Sequence, residues 1–168
     1  MRTLMLLRHG KSDWDSGIAG DFERPLAKRG RLAVKRMGTW MRHNDISPDY
    51  LICSPAERAR ATVVILCDSL GIEAAHVRYE DRLYLADVDE LLQIVRHTPP
   101  EVKSVMLVGH NPGFEDFLRY LCGDELPTSD NGKLLPTASL AQITLPNDWG
   151  NLRRDAGRLV AITRPKEL

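Results

Sequence analysis

Thr3-Leu4-Met5-Leu6-Leu7-Arg8-His9-Gly10 decides how this chain is read: an unbroken, largely apolar run leads straight into a cationic pair and a glycine. A short apolar run without alternation is what a strand covered on both faces requires. The segment therefore reads as a first β-strand inside a sheet, with a tight loop at its carboxyl end. Two later segments repeat the arrangement. Asp49 to Cys53 runs into Ser54-Pro55, and Val102 to Gly109 runs into His110-Asn111-Pro112.

Between these strands the pattern changes period. Lys11 to Pro25 is polar and aperiodic, with Gly17 and Gly20, and reads as a long surface loop of a length often used for function. From Ala27 to Arg42, Leu32, Val34, Met37, Trp40 and Met41 fall near helical spacing among Lys and Arg, which predicts an amphipathic helix ended by Asn44 and Pro48. Ser54-Pro55 has the chemistry of an N-cap followed by proline at the first helical position, opening a helix that runs to Leu70 and is closed by Gly71. His76 to Tyr79 is a weaker strand. Asp87 or Asp89 caps a helix through Val95 that Pro99-Pro100 halts, and Phe114 to Leu121 is a short helix stopped by Gly123. Ser139 to Leu145 and Arg158 to Thr163 read as two further strands. Strands alternating with helices predict an α/β fold: three layers, α/β/α, with a largely parallel central sheet, room for an antiparallel edge strand, and a single domain over residues 1–168.

Composition narrows the function classes. The chain has 168 residues, with 23 Lys plus Arg against 23 Asp plus Glu, so no basic field favours nucleic acid or an anionic membrane. The apolar run before Arg8 is too short for a signal core or a spanning helix, and the expected location is the cytoplasm. Cys53, Cys67 and Cys122 are odd in number and lack a CxxC pair, so buried free thiols are expected rather than a disulfide framework or a zinc site.

In parallel sheets, ligands gather at the carboxyl ends of the strands, which is where Arg8-His9-Gly10, Ser54 to Thr62 and Gly109-His110-Asn111 fall. Phosphoryl transfer needs a nucleophile or positioned water and dense positive charge around the non-bridging oxygens. Arg8 and Arg58 suit the second task, because a guanidinium meets two phosphate oxygens at once and stays charged. A neutral imidazole can attack phosphorus through one ring nitrogen when the other donates its proton to a fixed acceptor, and His9, in the turn before Gly10, is placed for that. His110 can add a charge or a hydrogen bond. Arg58 and Arg60 sit near a helix start, where positive charge opposes the macrodipole and an anion would account for it. No metal or cofactor is called for.

The segment resembles the Arg-His-Gly signature of the histidine phosphatase superfamily, the phosphoglycerate-mutase-like proteins. Ser54-Pro55-Ala56-Glu57-Arg58-Ala59-Arg60-Ala61-Thr62 and Val108-Gly109-His110-Asn111-Pro112-Gly113 resemble further family motifs in the family's order. The short length, Arg24-Pro25-Leu26 and the Gly-His-Asn-Pro-Gly run are most similar to the SixA-type phosphohistidine phosphatases, over nearly the whole chain. The resemblance implies the histidine phosphatase fold, transient phosphorylation of His9, a phosphoryl group held by Arg8, Arg58 and His110, and release by water. Arg58 rather than Arg60 is the match, four residues after Ser54 and directly before Ala59. Arg24 is a further candidate contact, against the plain alternative of a solvated loop arginine, and Lys11 would add positive charge at the mouth. Larger members use a carboxylic acid after the third strand to protonate an alcohol leaving group. Glu80 and Asp81 are the nearby acids here, in surroundings unlike that motif, which favours the more labile phosphohistidine over a phosphate ester.

The expected partner is a phosphorylated protein bearing phosphohistidine, with a small phosphorylated metabolite as the alternative; a non-catalytic phosphate-binding module is the reading from another class. Trp14 could line a substrate surface or simply pack on the domain. His43, His76 and His97 have no motif around them, and the Lys28-Arg29, Arg31 and Lys35-Arg36 cluster reads as a solvated helix face.

Overall fold

The computed structural model describes residues 1–18 and 20–168; residue 19, inside the loop expected over Lys11 to Pro25, lies outside the described residues. Six strands form one sheet: β1 (Arg2–Arg8), β2 (Tyr50–Cys53), β3 (Val77–Tyr79), β4 (Ser104–Gly109), β5 (Leu140–Leu145) and β6 (Arg158–Thr163), in the order β3-β2-β4-β1-β5-β6. β3, β2, β4 and β1 are mutually parallel, and β5 runs antiparallel to both β1 and β6. The antiparallel strand is thus not at the edge, where the sequence left room for it. β5 lies against β1, with Leu6 opposite Leu107 on one side and Ala141 on the other, and β6 forms the edge.

The inner strands β1, β2 and β4 feed both faces of the sheet, which is why their apolar runs do not alternate. Met5 and Leu7 point to the side covered by α1 (Lys28–His43) and α2 (Glu57–Leu70), into a core with Met37, Met41, Val63 and Leu66. Leu4 and Leu6 point to the other side, against α3 (Val88–Arg96) and α4 (Gly113–Cys122), with Leu91, Phe114 and Phe117. The three-layer α/β/α architecture follows. The buried stripe of α1 is Gly30, Val34, Met37 and Met41; Leu32 lies between the first two, on the opposite face, and is exposed rather than part of the core.

Local signals set most boundaries. Asp87 caps α3 in a full capping box with Glu90, and Gly71 ends α2 in the left-handed conformation its sequence position required. The expected cap at Ser54 is displaced: α2 starts at Glu57 after Ala56, while the Ser54 hydroxyl accepts from Ala56 N at 3.3 Å and meets His110 Nε2 at 2.7 Å. Cys53 and Cys67 are buried and Cys122 half-buried, all as free thiols. Among the described residues no helix is long and apolar enough to cross a membrane.

Candidate active site

Register brings the three sequence motifs to one sheet edge. Arg8 pairs with Gly109 and Cys53 with Val108, so His9, Ser54 and His110, each the next residue of its chain segment, emerge side by side. The start of β5 borders them, since Leu7 pairs with Leu140 and the carbonyls of Arg8 and His9 both accept from Ala138 N.

The His9 ring is 7% exposed, and its Nδ1 lies 2.6 Å from the carbonyl oxygen of Gly10. A carbonyl can only accept, so Nδ1 carries the proton and Nε2 presents its lone pair. The Nε–H of Arg58 donates to that lone pair at 3.3 Å. Gly10 is held in turn by its N–H on Thr62 Oγ1 at 3.0 Å, and Thr62 bonds back to the Arg58 carbonyl. A Cβ at Gly10 would stand 2.8 Å from Gly30 O and 2.9 Å from Val34 Cγ2, so α1 packs against the turn that sets the tautomer.

His110 faces His9 with ring centroids 5.2 Å apart. Its Nε2 lies 2.7 Å from Ser54 Oγ, and its Nδ1 is buried without a hydrogen-bond partner. Arg8 donates from one terminal nitrogen to Leu135 O at 3.1 Å, while its Nε is also buried and unpartnered. Each residue thus keeps a buried nitrogen without a hydrogen-bond partner. Burial, reinforced by the Arg58 and Arg8 guanidiniums, holds His9 down to about 3 and His110 to about 4. Both rings are therefore neutral at physiological pH.

Arg8, His9, Arg58 and His110 are brought together; the remaining sequence candidates divide. Arg24 is no solvated loop arginine: it donates to Ser12 Oγ at 2.9 Å, pairs with Asp21 Oδ1 at 2.9 Å and lies 3.6 Å over the ring of Trp14. Trp14 itself is 70% exposed, so it packs on Arg24 while leaving most of its surface to solvent. The hydrogen bond made by Lys11 is through its backbone, whose carbonyl accepts from Ala27 N. Arg60 is exposed and stacks 4.4 Å over Tyr79, so an aromatic face rather than an anion answers its charge. Glu80 is bound by the backbone and guanidinium of Arg82, which hold its carboxyl below the usual range, and Asp81 is exposed.

Two members of the site lie outside the motifs read from the sequence. Asp21 accepts from Arg58 at Oδ2 (3.1 Å) and through its backbone carbonyl (2.6 Å), and Tyr84 O–H donates to the same Oδ2 at 2.5 Å. The Tyr84 hydroxyl, followed by Arg58 and Arg24, holds the Asp21 carboxyl at about 2. Tyr84 also packs edge-on against His110. The (i, i+3) pair Asp21 and Arg24 was the one hint available. Behind the pocket, Glu115 Oε2 accepts from Asn111 Nδ2 and Leu135 N, which orders the Leu135 carbonyl that receives Arg8. Chemically, the arrangement offers a neutral imidazole nucleophile, two guanidiniums and a second imidazole around one small space, with no protonated carboxyl among Asp21 and Glu80.

The model of the histidine phosphatase superfamily (branch 1) matches residues 4–90. An uncharacterized protein of Mycobacterium leprae (strain TN) is 31% identical over 166 residues, spanning 95% of this chain and 100% of the relative. Phosphohistidine phosphatase SixA of Escherichia coli (strain K12) is 25% identical over 149 residues, 88% of each chain. A structure from Nakamurella multipartitia, solved as a SixA candidate, superposes with a TM-score of 0.81 at 28% identity, covering 98% of this chain and 96% of that one. The matched region holds Arg8, His9 and Arg58, the fold agrees over nearly the full length, and the chain accordingly belongs to the histidine phosphatase superfamily and is a phosphatase.

Proposed function

We propose that this phosphatase removes phosphoryl groups from histidine side chains of proteins, by way of a covalent phospho-His9 intermediate. The observation that carries the reading is the His9 ring, fixed by the Gly10 carbonyl at Nδ1 so that Nε2 meets the pocket as a free base. Arg8 and Arg58 clamp the non-bridging oxygens, and Arg58 exchanges its contact with Nε2 for the incoming phosphoryl group. His110 donates from Nδ1 while the Ser54 hydroxyl donates to its Nε2. Nε2 of His9 forms the new P–N bond as the bond to the leaving group breaks; water then attacks phosphorus and returns His9 to its neutral form. Arg24 and Lys11 supply positive charge at the mouth.

Phosphohistidine rather than an ester is supported by the state of the acids. An alkoxide leaving group needs a proton, yet Glu80 is ionised on Arg82 and Asp21 is ionised on Tyr84, Arg58 and Arg24. An imidazole leaves without that help. Similarity to the Escherichia coli SixA protein supports the same class of partner, a phosphorylated protein. The free thiols of Cys53, Cys67 and Cys122 suit a reducing compartment, and the cytoplasm is the proposed site of action.

The test is release of phosphate, without added metal, from a phosphohistidine-bearing phosphotransfer domain and from an alkyl ester, glycerol 2-phosphate, by wild-type and His9→Ala protein. Fast release from phosphohistidine, slow release from the ester and loss of both in the variant are expected. Preference for the ester, lost in Glu80→Gln, would replace this reading by a small-molecule phosphomonoesterase.

A further inference from the structure

Resting on the phosphohistidine reading, we propose that Asp21 is a specificity-determining residue: its carboxylate, held at the pocket mouth by Arg24, Arg58 and Tyr84, accepts a hydrogen bond from the protonated ring nitrogen of a phosphoimidazolium and so selects a cationic aromatic leaving group. A carboxylate offers about four lone-pair positions. Three are taken, by Arg58 and Tyr84 on Oδ2 and by Arg24 on Oδ1, and the side chain is 45% exposed. One position on Oδ1 is left unfilled. The guanidinium that donates to Asp21 also donates to His9 Nε2, so carboxylate and nucleophile are held on one rigid group.

The surroundings suit a flat cation. Tyr84 stands edge-on to His110 at 5.6 Å, and Phe22 stands edge-on to Tyr84 at 5.0 Å, giving an aromatic wall beside the carboxylate. The charged and titratable groups facing Asp21 are Arg24 and Glu23 from its own loop, Arg58 from α2, Tyr84 from the segment after β3, and His110 beyond Tyr84. An ester would present no donor to this carboxylate, and the negative charge growing on its leaving oxygen would be repelled by it.

The transfer then becomes symmetrical. The lone pair of His9 Nε2 forms the bond to phosphorus, the substrate P–N bond breaks with its electron pair kept by the substrate ring, and the proton already on the far nitrogen makes that ring a neutral imidazole. His9 becomes the phosphoimidazolium, its Nδ1–H on the Gly10 carbonyl as the substrate's N–H was on Asp21. No acid is consumed, and water later restores His9 with release of phosphate and a proton.

The test compares kcat/KM of wild-type and Asp21→Asn protein on N-phosphoimidazole and on p-nitrophenyl phosphate, with inhibition by orthovanadate as a measure of the clamp. Loss of a charged hydrogen bond is expected to lower the ratio of kcat/KM on N-phosphoimidazole to kcat/KM on the ester by at least about tenfold, beyond any common loss that a slackened Arg58 imposes on both substrates and on vanadate inhibition. The alkaline limb of the N-phosphoimidazole profile should also move to lower pH in the variant, because the carboxylate no longer favours the protonated substrate. Equal loss on both substrates, or an unchanged ratio, would overturn the assignment and leave Asp21 as a support for Arg58. Asp21→Ser, which removes the carboxylate without the amide, gives the same comparison if the first variant folds poorly. Wild-type protein that cleaves the ester and spares N-phosphoimidazole would instead sink the phosphohistidine reading, and this assignment with it.

Discussion

Lowering the pH from 7 to 4 should destabilise the folded chain by on the order of 6 kcal/mol through His9 and His110 alone. The ordinary histidine value is 6.5, and burial holds these two at about 3 and about 4. Both folded values are depressed, so the stability is fully present above the unfolded value and is lost as pH falls toward the folded ones. In that window the unfolded chain binds two protons that the folded chain refuses. Each pH unit then costs about 1.4 kcal/mol per histidine, close to 3 kcal/mol for the pair. Asp21 falls outside the window, because its carboxyl, at about 2, releases its contribution only below the ordinary carboxylate value. Since domains of this size are stable by about 5–15 kcal/mol, acid unfolding near pH 4 is expected. Urea denaturation at half-unit steps of pH measures the slope directly. A His9→Asn, His110→Asn double variant should flatten the curve between pH 6.5 and pH 4. A wild-type curve that is already flat there, or a slope unchanged in the double variant, would refute the claim that burial keeps both rings neutral.

Ser54→Ala removes the hydroxyl 2.7 Å from His110 Nε2 in a site where both residues are buried. An orphaned buried nitrogen costs about 1–3 kcal/mol, and a mis-set second imidazole should lower kcat about ten- to a hundredfold; denaturation and turnover of phosphohistidine check the two separately. Gly30→Ala would put a Cβ 2.2 Å from the Lys11 carbonyl oxygen, a backbone atom that cannot swing away, and should cost more than about 2 kcal/mol and reduce turnover by shifting the Gly10 turn. Gly17→Ala, with nothing within 4 Å but a φ of +78°, should cost only about 1 kcal/mol in the same melts.

The sheet and the candidate site at its carboxyl end were legible because they are written locally. Thr3 to Leu7 and Val102 to Gly109 are apolar without alternation, which only a strand covered on both sides explains, and the charged residues at their ends follow the chain direction. His9 and His110 could therefore be brought to one edge before any packing was known. The contacts that the pattern could not give are long-range or come from loops. Asp21 reaches Arg58 across 37 residues and Ser54 reaches His110 across 56, and neither pair has a periodicity to betray it. Ser54 shows how a local signal tells only part: its hydroxyl does accept from the backbone two residues on, but α2 opens only at Glu57, and nothing local announces that the same hydroxyl reaches His110. Leu32 failed for a different reason: it stands two residues from both Gly30 and Val34, half a turn round the helix from the buried stripe, so an apolar side chain there faces solvent. The place of β5 beside β1 depended on which strands pair, which apolar content alone leaves open.

The most direct measurement is rapid acid-free quenching of the protein during turnover of a phosphohistidine-bearing domain, followed by intact and peptide mass spectrometry. The account predicts a phosphoryl mass increment on the peptide containing His9, labile to acid, stable to alkali and absent from His9→Ala. A burst of phosphate with no modified protein, or an increment on a peptide lacking His9, would contradict it.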